Sequence, residues 1–163
     1  DSTSTVKQVV DLALSELDVV ITPELIAKLK ARGFTLHEAV ILASIVEKET
    51  STVVDQPKVA QVFEKRLREG IMLGSDVTFI YAAAVSGQTA SPSLDSPYNT
   101  RKYTGLPPGP ISNFMLSSLQ AVAEPADTDY LYFVAGDDGK TYYAKTLAEH
   151  DANIAAHCHT LCQ

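Results

Sequence analysis

Hydrophobic residues recur at helical spacing through the first third of the chain and predict three consecutive helices. Apolar side chains three and four positions apart indicate a first helix over roughly residues 4–18. Thr22 and Pro23 are typical of the start of a second helix, which we expect to end near Gly33. Residues 35–38, Thr-Leu-His-Glu, have the composition of a capping box and predict the start of a central helix.

The central helix is expected to be the most buried, because residues 41–46 are almost entirely apolar before two acids follow. At about 100° per residue, Glu49 lies on the apolar arc of this helix and Glu47 on roughly the opposite side. Desolvation raises the pKa of such an acid and suits it to act as a general acid in sugar chemistry. Glu47 and Lys48 are expected to be solvated neighbours. A solvated acidic helix end without function is the alternative, and position alone favours it.

The remaining periodicity predicts four more helices and one hairpin. The helices are expected over residues 57–69, from Asp76 as N-cap through Ala84, over 114–123 and over about 147–156. Two strands, 130–135 and 141–144, flank a turn. The predicted fold class is therefore α+β: a helix-majority single domain with a small antiparallel β-hairpin sheet and a long ordered loop over the helix that carries Glu49.

The long loop is predicted over residues 85–113, which are rich in Ser, Pro, Gly and Thr. A loop of this length inside a compact domain is usually functional or disordered. Here it carries Tyr98, Asn99, Thr100 and Arg101, followed by a stiff Gly- and Pro-rich run. Polar and aromatic residues held between rigid turns favour a binding loop.

Length and charge narrow the function classes. The 163 residues fit one domain, and 20 acidic against 13 basic residues give a net charge of −7, which argues against a nucleic-acid surface. The sequence has no run of ~18 apolar residues and no visible signal peptide. We therefore expect nothing in it to span a membrane, and any targeting segment to lie outside it.

Both cysteines, Cys158 and Cys162, lie in the last six residues, close to three histidines, His150, His157 and His159. This cluster raises a metal hypothesis, but its spacing fits no standard zinc pattern. A free or loosely paired thiol tail is the default expectation, and we expect neither a metal nor a cofactor.

An ordered set of motifs resembles one family, the YceG-like, or MltG-type, endolytic murein transglycosylases. The matching segments are LASIVEKET at 42–50, VAQVFEKRL at 59–67, LGSDVTFIYA at 73–82, SPYNTRKYTGLPPGPISN at 96–113 and YLYFVAGDDGKTYYAKTLAEH at 130–150. Together they cover about residues 35–155. The resemblance implies three parts: an N-terminal helical lead-in (1–34), a catalytic domain (35–156) and a C-terminal tail (157–163).

The family implies an enzyme on the extracytoplasmic face of the bacterial cytoplasmic membrane that acts on peptidoglycan glycan strands. It would cut the β-1,4 bond between N-acetylmuramic acid (MurNAc) and N-acetylglucosamine (GlcNAc), leave a 1,6-anhydroMurNAc end and terminate strand elongation. The family also implies peptidoglycan synthases as partners, and a membrane anchor and a LysM-like subdomain outside this sequence. Its catalytic glutamate, the second acid of the EKE motif, corresponds to Glu49.

The other motifs supply candidates for substrate contact and support. The substrate-binding candidates are Asp76, Thr78, Tyr98, Asn99, Thr100, Glu149 and His150. Ser44 and Arg66 are candidates for supporting Glu49 without contacting the substrate themselves. The alternatives are structural: a helix cap for Asp76, core packing for Tyr98, and a solvated helix face for the residues of the last helix and for Ser44 and Arg66.

The chain departs from the family pattern at several positions. Val77 stands in place of proline, Lys65 in place of asparagine, Arg101 in place of an aromatic residue, and Phe114-Met115 in place of Pro-Gly; Thr141 and Tyr143 replace common His and Phe. Three other hypotheses stay open, and the changes in the long loop motivate the first of them. They are a non-catalytic glycan-binding or scaffold domain, a peptidoglycan hydrolase with a second carboxylate such as Asp76, and a metal-dependent enzyme that uses the C-terminal histidines and cysteines.

Overall fold

The computed structural model describes residues 5–50 and 52–160, without the side chains of residues 13, 14 and 18. Within these ranges the chain forms seven helices and one two-stranded antiparallel sheet. The helices are α1 (Val6–Val20), α2 (Pro23–Ala31), α3 (Leu36–Glu49), α4 (Gln56–Arg68), α5 (Asp76–Ser86), α6 (Leu116–Ala123) and α7 (Leu147–His157); the strands are β1 (Tyr132–Ala135) and β2 (Thr141–Ala144). The predicted α+β class, a helix-majority single domain with a small hairpin sheet, is confirmed.

The central helix α3 forms the core of the domain. The capping box predicted at its start is present: the Glu38 N–H donates to Thr35 Oγ1 at 3.2 Å, and Thr35 N–H donates to the Glu38 carboxylate at 2.8 Å. Ala39 and residues 41–46 are buried, because α2, α4, α5 and α6 all pack against this helix. A helix that is apolar on most of its surface is stable only when it is enclosed in this way.

Four helices, α1, α4, α5 and α6, begin one or two residues away from the predicted position, and the last two of these bear on the site. The N-cap of α5 is Ser75 rather than Asp76, and its backbone is extended, with φ −85° and ψ 121°. The helix α6 begins at Leu116 rather than at 114, because Met115 is also extended and donates its N–H to a side chain of α3. At each start a backbone N–H bonds a distant side chain: the Ser75 N–H donates to Thr100, and the Met115 N–H to Glu47. A local sequence pattern cannot predict such a bond, because its two partners are far apart in the chain.

The hairpin packs against α4 and α7. Tyr132 lies opposite Ala144 and Ala135 opposite Thr141 in the antiparallel register. Two residues that depart from the family pattern, Thr141 and Tyr143, both donate side-chain hydrogen bonds to the Asp55 carboxylate, at 3.3 and 3.1 Å. Asp55 is the N-cap of α4, so these bonds attach β2 to the start of that helix.

The first helix α1 is mostly solvent-exposed. Its valines Val6, Val9 and Val10 are all exposed, whereas its C-terminal end approaches the rest of the domain. There it borders an apolar groove of about 950 Å³, together with residues of α3 and α6 and with Phe114, which precedes α6. Among the described helices, none is both long and apolar enough to cross a membrane.

Candidate active site

Glu49 is the last residue of α3, and its side chain is half-buried. The Ser75 hydroxyl donates a hydrogen bond to Glu49 Oε1 at 2.5 Å. Burial raises the pKa of the Glu49 carboxyl, and the negative charge of Asp76 raises it further. The Ser75 hydrogen bond and the positive charges of Arg101 and Arg66 oppose that rise, but the net pKa is raised. The position of Glu49 on the apolar arc of α3 predicted this desolvation of its carboxyl.

Glu47 has a different environment from Glu49. Its carboxylate accepts hydrogen bonds from the Met115 N–H at 3.1 Å and from the Ser118 hydroxyl at 2.5 Å. These donors lie at the start of α6, where a carboxylate also interacts favourably with the helix dipole. The prediction that Glu47 is merely a solvated neighbour is wrong, because its side chain joins α3 to α6; Lys48 is exposed as expected.

Ser75 is held by two buried threonine hydroxyls, those of Thr78 and Thr100. The Ser75 N–H donates to Thr100 Oγ1 at 3.1 Å, and its carbonyl accepts from Thr78 Oγ1 at 2.6 Å. The two threonine hydroxyls are themselves 2.9 Å apart. Thr78 is 0% and Thr100 2% exposed, so in this structure both side chains hold the site together. Their direct contact with substrate stays a prediction.

Asp76 and Arg101 form an ion pair at the exposed border of the site. Asp76 is the first residue of α5, and Arg101 lies in the long loop. Both side chains keep about half of their surface exposed, 52% for Asp76 and 45% for Arg101. The pair therefore brings one anion and one cation close to Glu49 while both stay accessible to a ligand.

Asn99 fixes the long loop from inside. Its amide N–H groups donate to the carbonyls of Pro92 and Leu94 at 2.9 and 2.8 Å, and its side-chain oxygen accepts from the Arg101 N–H at 3.0 Å. The residue is 0% exposed. The amide is thus fully used within the loop, and the predicted contact between Asn99 and substrate stays untested.

Tyr98 is half-buried and packs against α5. Its ring lies 5.0 Å from the ring of Tyr81, and it also contacts the hydrophobic core. The Tyr98 hydroxyl lies close to Gly109: a Cβ atom added to that glycine would be 3.1 Å from the hydroxyl oxygen. Core packing therefore accounts for much of the Tyr98 surface, and its predicted contact with substrate stays untested.

Ser44 and Arg66 are attached to the protein rather than to solvent, so the solvated-face alternative is wrong for both. The Ser44 hydroxyl is 0% exposed and accepts from the Ile111 N–H at 3.0 Å, which ties the end of the long loop to α3. Arg66 donates to the Leu131 carbonyl at 2.7 Å and to the Leu73 carbonyl at 2.6 Å. Ser44 therefore fixes the end of the long loop, and Arg66 fixes the segment that leads to Ser75, whose hydroxyl bonds Glu49.

Glu149 and His150 lie at the start of α7. Among the described residues, Glu149 bonds locally at that helix start: the N–H groups of Lys145 and Thr146 donate to its carboxylate at 2.8 and 3.2 Å and lower its pKa. His150 stacks on the Tyr132 ring at 5.2 Å, and burial together with the charge of Arg66 lowers the pKa of its imidazole. Glu149 caps its helix, whereas His150 is linked to the Glu49 environment through Arg66.

Sequence reasoning missed Ser75, the residue whose hydroxyl touches Glu49. It stands in the quoted LGSDVTFIYA segment, beside Asp76. Serine and aspartate are both common N-cap residues, so the local pattern does not distinguish them. Only the packing of α5 against the end of α3 shows which hydroxyl reaches the acid.

The C-terminal residues do not assemble a metal site within the described part of the chain, where no group of three His, Cys, Asp or Glu side chains could hold an ion. Cys158 is buried and disulfide-bonded, so of the two expected states, free or paired, the thiol at that position is paired. Cys162 lies outside the described residues.

A half-buried acid with a raised pKa, bonded to one serine and bordered by an exposed ion pair, defines a candidate acid–base site on a helix-majority α+β domain. The sequence model of the YceG-like family matches residues 1–156, and the chain belongs to this family. The resemblance of the motifs to that family is therefore confirmed.

Several proteins are similar to this chain. The endolytic murein transglycosylase of Bacillus subtilis (strain 168) is 40% identical over 128 residues, which are 77% of this chain and 36% of that protein. The endolytic murein transglycosylase of Streptococcus pneumoniae (strain D39) is 34% identical over 163 residues, 94% of this chain and 29% of that protein. The chain thus spans about a third of the length of these curated relatives.

A solved structure supports the fold. The crystal structure of a yceG-like protein from Listeria monocytogenes superposes with a TM-score of 0.78 at 37% sequence identity. The match covers 91% of this chain and 49% of that protein. The arrangement of α3, the long loop and the hairpin therefore belongs to a fold that has been solved for this family.

Proposed function

We propose that this domain is an endolytic lytic transglycosylase that cleaves the MurNAc-β-1,4-GlcNAc bond of nascent peptidoglycan, with Glu49 as its one catalytic acid and base. The observation that carries the proposal is the state of Glu49: half-buried, bonded to Ser75, and with a raised pKa. Family membership and the names of two similar proteins support the choice of reaction.

The reaction uses the same carboxyl twice. In the first step, protonated Glu49 donates its proton to the glycosidic oxygen; the bond from that oxygen to muramyl C1 breaks, and the GlcNAc part leaves with a free 4-hydroxyl. In the second step, the Glu49 carboxylate takes the proton of the muramyl C6 hydroxyl, and O6 bonds to C1. The product is a 1,6-anhydroMurNAc end, no water is consumed, and Glu49 is protonated again.

A single carboxyl is sufficient because the attacking hydroxyl belongs to the same sugar, which replaces an activated water by an intramolecular nucleophile. A hydrolase of the two-carboxylate type would need a second, unengaged acid opposite the first. Asp76 is the other carboxylate whose charge acts on Glu49, and it is ion-paired with Arg101. That pairing favours Asp76 as an electrostatic neighbour over Asp76 as a base.

The proposed substrate contacts divide by exposure. Asp76, Tyr98 and His150 each keep some accessible surface, and we assign direct contacts with substrate to them. Thr78, Asn99 and Thr100 are buried and are assigned to holding Ser75 and the loop. Among the predicted site residues, Glu149 has the weakest structural support, since its hydrogen bonds are those of a helix cap.

The cellular setting follows from the substrate. Peptidoglycan lies outside the cytoplasmic membrane, so the proposed place of action is its extracytoplasmic face. A membrane anchor and contacts with peptidoglycan synthases are part of the proposal, on the strength of family membership. Residues 35–156 are proposed as the catalytic part, with residues 1–34 as a helical lead-in and 157–163 as a tail.

The test is digestion of purified peptidoglycan followed by mass spectrometry of the released fragments. The wild-type protein should release muropeptides that are one water lighter than hydrolysis products. Glu49→Gln keeps the size of the side chain but removes the acid, so it should release none. Glu69→Gln, at an exposed glutamate after α4, is the matched control and should behave as wild type. Full activity of Glu49→Gln would remove Glu49 from the reaction.

A further inference from the structure

Ser75 occupies a helix N-cap without performing the usual function of that position. A serine N-cap normally accepts a hydrogen bond from a backbone N–H in the first turn of its helix. Ser75 precedes α5 in the extended conformation that such caps adopt, yet its side chain makes no capping hydrogen bond. Its hydroxyl instead donates to Glu49 Oε1 at 2.5 Å. The Ser75 hydroxyl therefore bonds Glu49 in place of the first turn of α5.

The backbone of Ser75 is fixed more firmly than a helix start requires. The buried hydroxyls of Thr78 and Thr100 bond its carbonyl and its N–H. On the preceding side, the Gly74 N–H donates to the Thr100 carbonyl at 2.9 Å, and Arg66 holds the Leu73 carbonyl. Ser75 itself is 3% exposed. Its hydroxyl therefore has little freedom to move away from Glu49.

The hydrogen bond also distinguishes the two oxygens of the Glu49 carboxyl. Oε1 accepts from Ser75, whereas Oε2 makes no hydrogen bond within the described part of the chain. A carboxyl held at one oxygen presents the other in a constant direction. Both proton transfers of the proposed reaction require that direction, because the glycosidic oxygen and the C6 hydroxyl lie on the same muramyl residue.

We infer that Ser75 is a positioning residue of this reaction: its fixed hydroxyl holds Glu49 Oε1, so that Oε2 both donates the proton to the leaving oxygen and takes the proton of the C6 hydroxyl. This inference rests on the proposed transglycosylase function. Three charged groups also act on Glu49: Asp76 of α5, Arg101 of the loop and Arg66 of α4. None of them replaces the Ser75 hydrogen bond, because their influence on Glu49 is through charge.

The first measurement does not depend on activity. The carboxyl carbon of Glu49 is titrated by 13C NMR in wild type, Ser75→Ala and Ser75→Cys, and its resonance is assigned by its absence in Glu49→Gln. Ser75→Cys nearly keeps the buried volume but donates weakly, so it also decides the question if the alanine variant fails to fold. Since the hydroxyl stabilises the carboxylate, the pKa of Glu49 should be higher in both variants. Ser15→Ala, an exposed hydroxyl on α1, is the control and should titrate as wild type.

The second measurement is the pH profile of glycan cleavage by the same proteins. Without Ser75 as donor, kcat should fall about 10- to 100-fold, the effect of one hydrogen bond to a charged group, while KM changes little. The alkaline limb of the profile should move to higher pH together with the pKa of Glu49. An unchanged Glu49 titration in both variants, or an unchanged kcat, would overturn the role of Ser75. If wild type forms no 1,6-anhydro ends, the proposed function fails instead, and the NMR titration still decides whether Ser75 bonds Glu49.

Discussion

Glu47 and Glu49 stand two residues apart on α3, and their carboxylates belong to different parts of the structure. Glu47 accepts hydrogen bonds from the start of α6, whereas Glu49 accepts one from Ser75 at the start of α5. Two positions along a helix correspond to a rotation of about 200°, so neighbouring acids of one motif point to opposite sides. Glu47 joins two helices, and Glu49 is the proposed catalytic acid.

Replacing Glu49 should stabilise the domain at neutral pH. Its folded-state pKa is raised, so the folded protein binds more protons than the unfolded chain above the ordinary glutamate pKa, and stability falls as pH rises through that window. Glu49→Gln removes this pH-dependent loss, so its free energy of unfolding should exceed that of wild type by about 1 kcal/mol near neutral pH. At about pH 4 the difference should be small. Urea unfolding at both pH values measures the difference. An equal effect at the two pH values would contradict the raised pKa.

Replacing Glu47 should have the opposite effect on stability. Glu47→Ala leaves the Met115 N–H and the Ser118 hydroxyl without their acceptor. The expected loss is about 1–2 kcal/mol of unfolding free energy, the usual effect of removing a helix-start acceptor. The cleavage rate of the folded protein should change much less than in Glu49→Gln. Glu69→Ala serves as the control, and an unchanged urea midpoint for Glu47→Ala would show that the link between α3 and α6 contributes nothing.

The exposed ion pair should shift the pH profile in two opposite directions. The charge of Arg101 lowers the pKa of Glu49 and the charge of Asp76 raises it. Arg101→Ala should therefore move the alkaline limb of kcat/KM to higher pH, and Asp76→Asn to lower pH. Stability should change by only about 0–1 kcal/mol, because both side chains are half exposed.

A second exposed pair provides the control for this experiment. Lys102 and Asp95 also form an ion pair in the long loop, at 2.9 Å. Lys102→Ala and Asp95→Asn should leave the profile where it is in wild type. If Arg101→Ala and Asp76→Asn shift the profile in the same direction, the electrostatic account of Glu49 is incorrect.

Asn99 should be needed to keep the long loop ordered. Asn99→Asp keeps the shape but loses the two N–H donors to the carbonyls of Pro92 and Leu94, and it places a charge in a fully buried position. The free energy of unfolding should fall by about 2–4 kcal/mol. Proteolysis between residues 87 and 105 should be faster than in wild type. Asn113→Asp, at an exposed position, is the control. Wild-type protease resistance in Asn99→Asp would mean that the loop is held by other contacts.

The sequence carried the information that is local or periodic. The capping box at Thr35 and the apolar arc of α3 predicted the central helix and chose Glu49 over Glu47, and the structure has Glu49 partly buried at the helix end. The hairpin could also be predicted, because two short runs of strand-forming residues flank a turn. These features depend on neighbours within about four residues, which a single sequence contains.

Features that depend on tertiary partners were not accessible. Ser75 was not chosen, because its contact with Glu49 joins positions that are 26 residues apart. Glu47 looked like a solvated acid because its partners at the start of α6 are about 70 residues away. Similarly, nothing local separates a threonine that binds a ligand from one such as Thr78, whose hydroxyl holds a buried backbone.

The central claim is that one carboxyl performs both proton transfers without water. Digestion of purified peptidoglycan in oxygen-18 water tests it most directly, because hydrolysis transfers a water oxygen to muramyl C1 and the transglycosylase reaction does not. The account predicts muramyl ends that are one water lighter than hydrolysis products and carry no heavy oxygen, and it predicts that Glu49→Gln releases no fragments. Reducing muramyl ends labelled with oxygen-18 would contradict it, and a second carboxylate would then have to act beside Glu49.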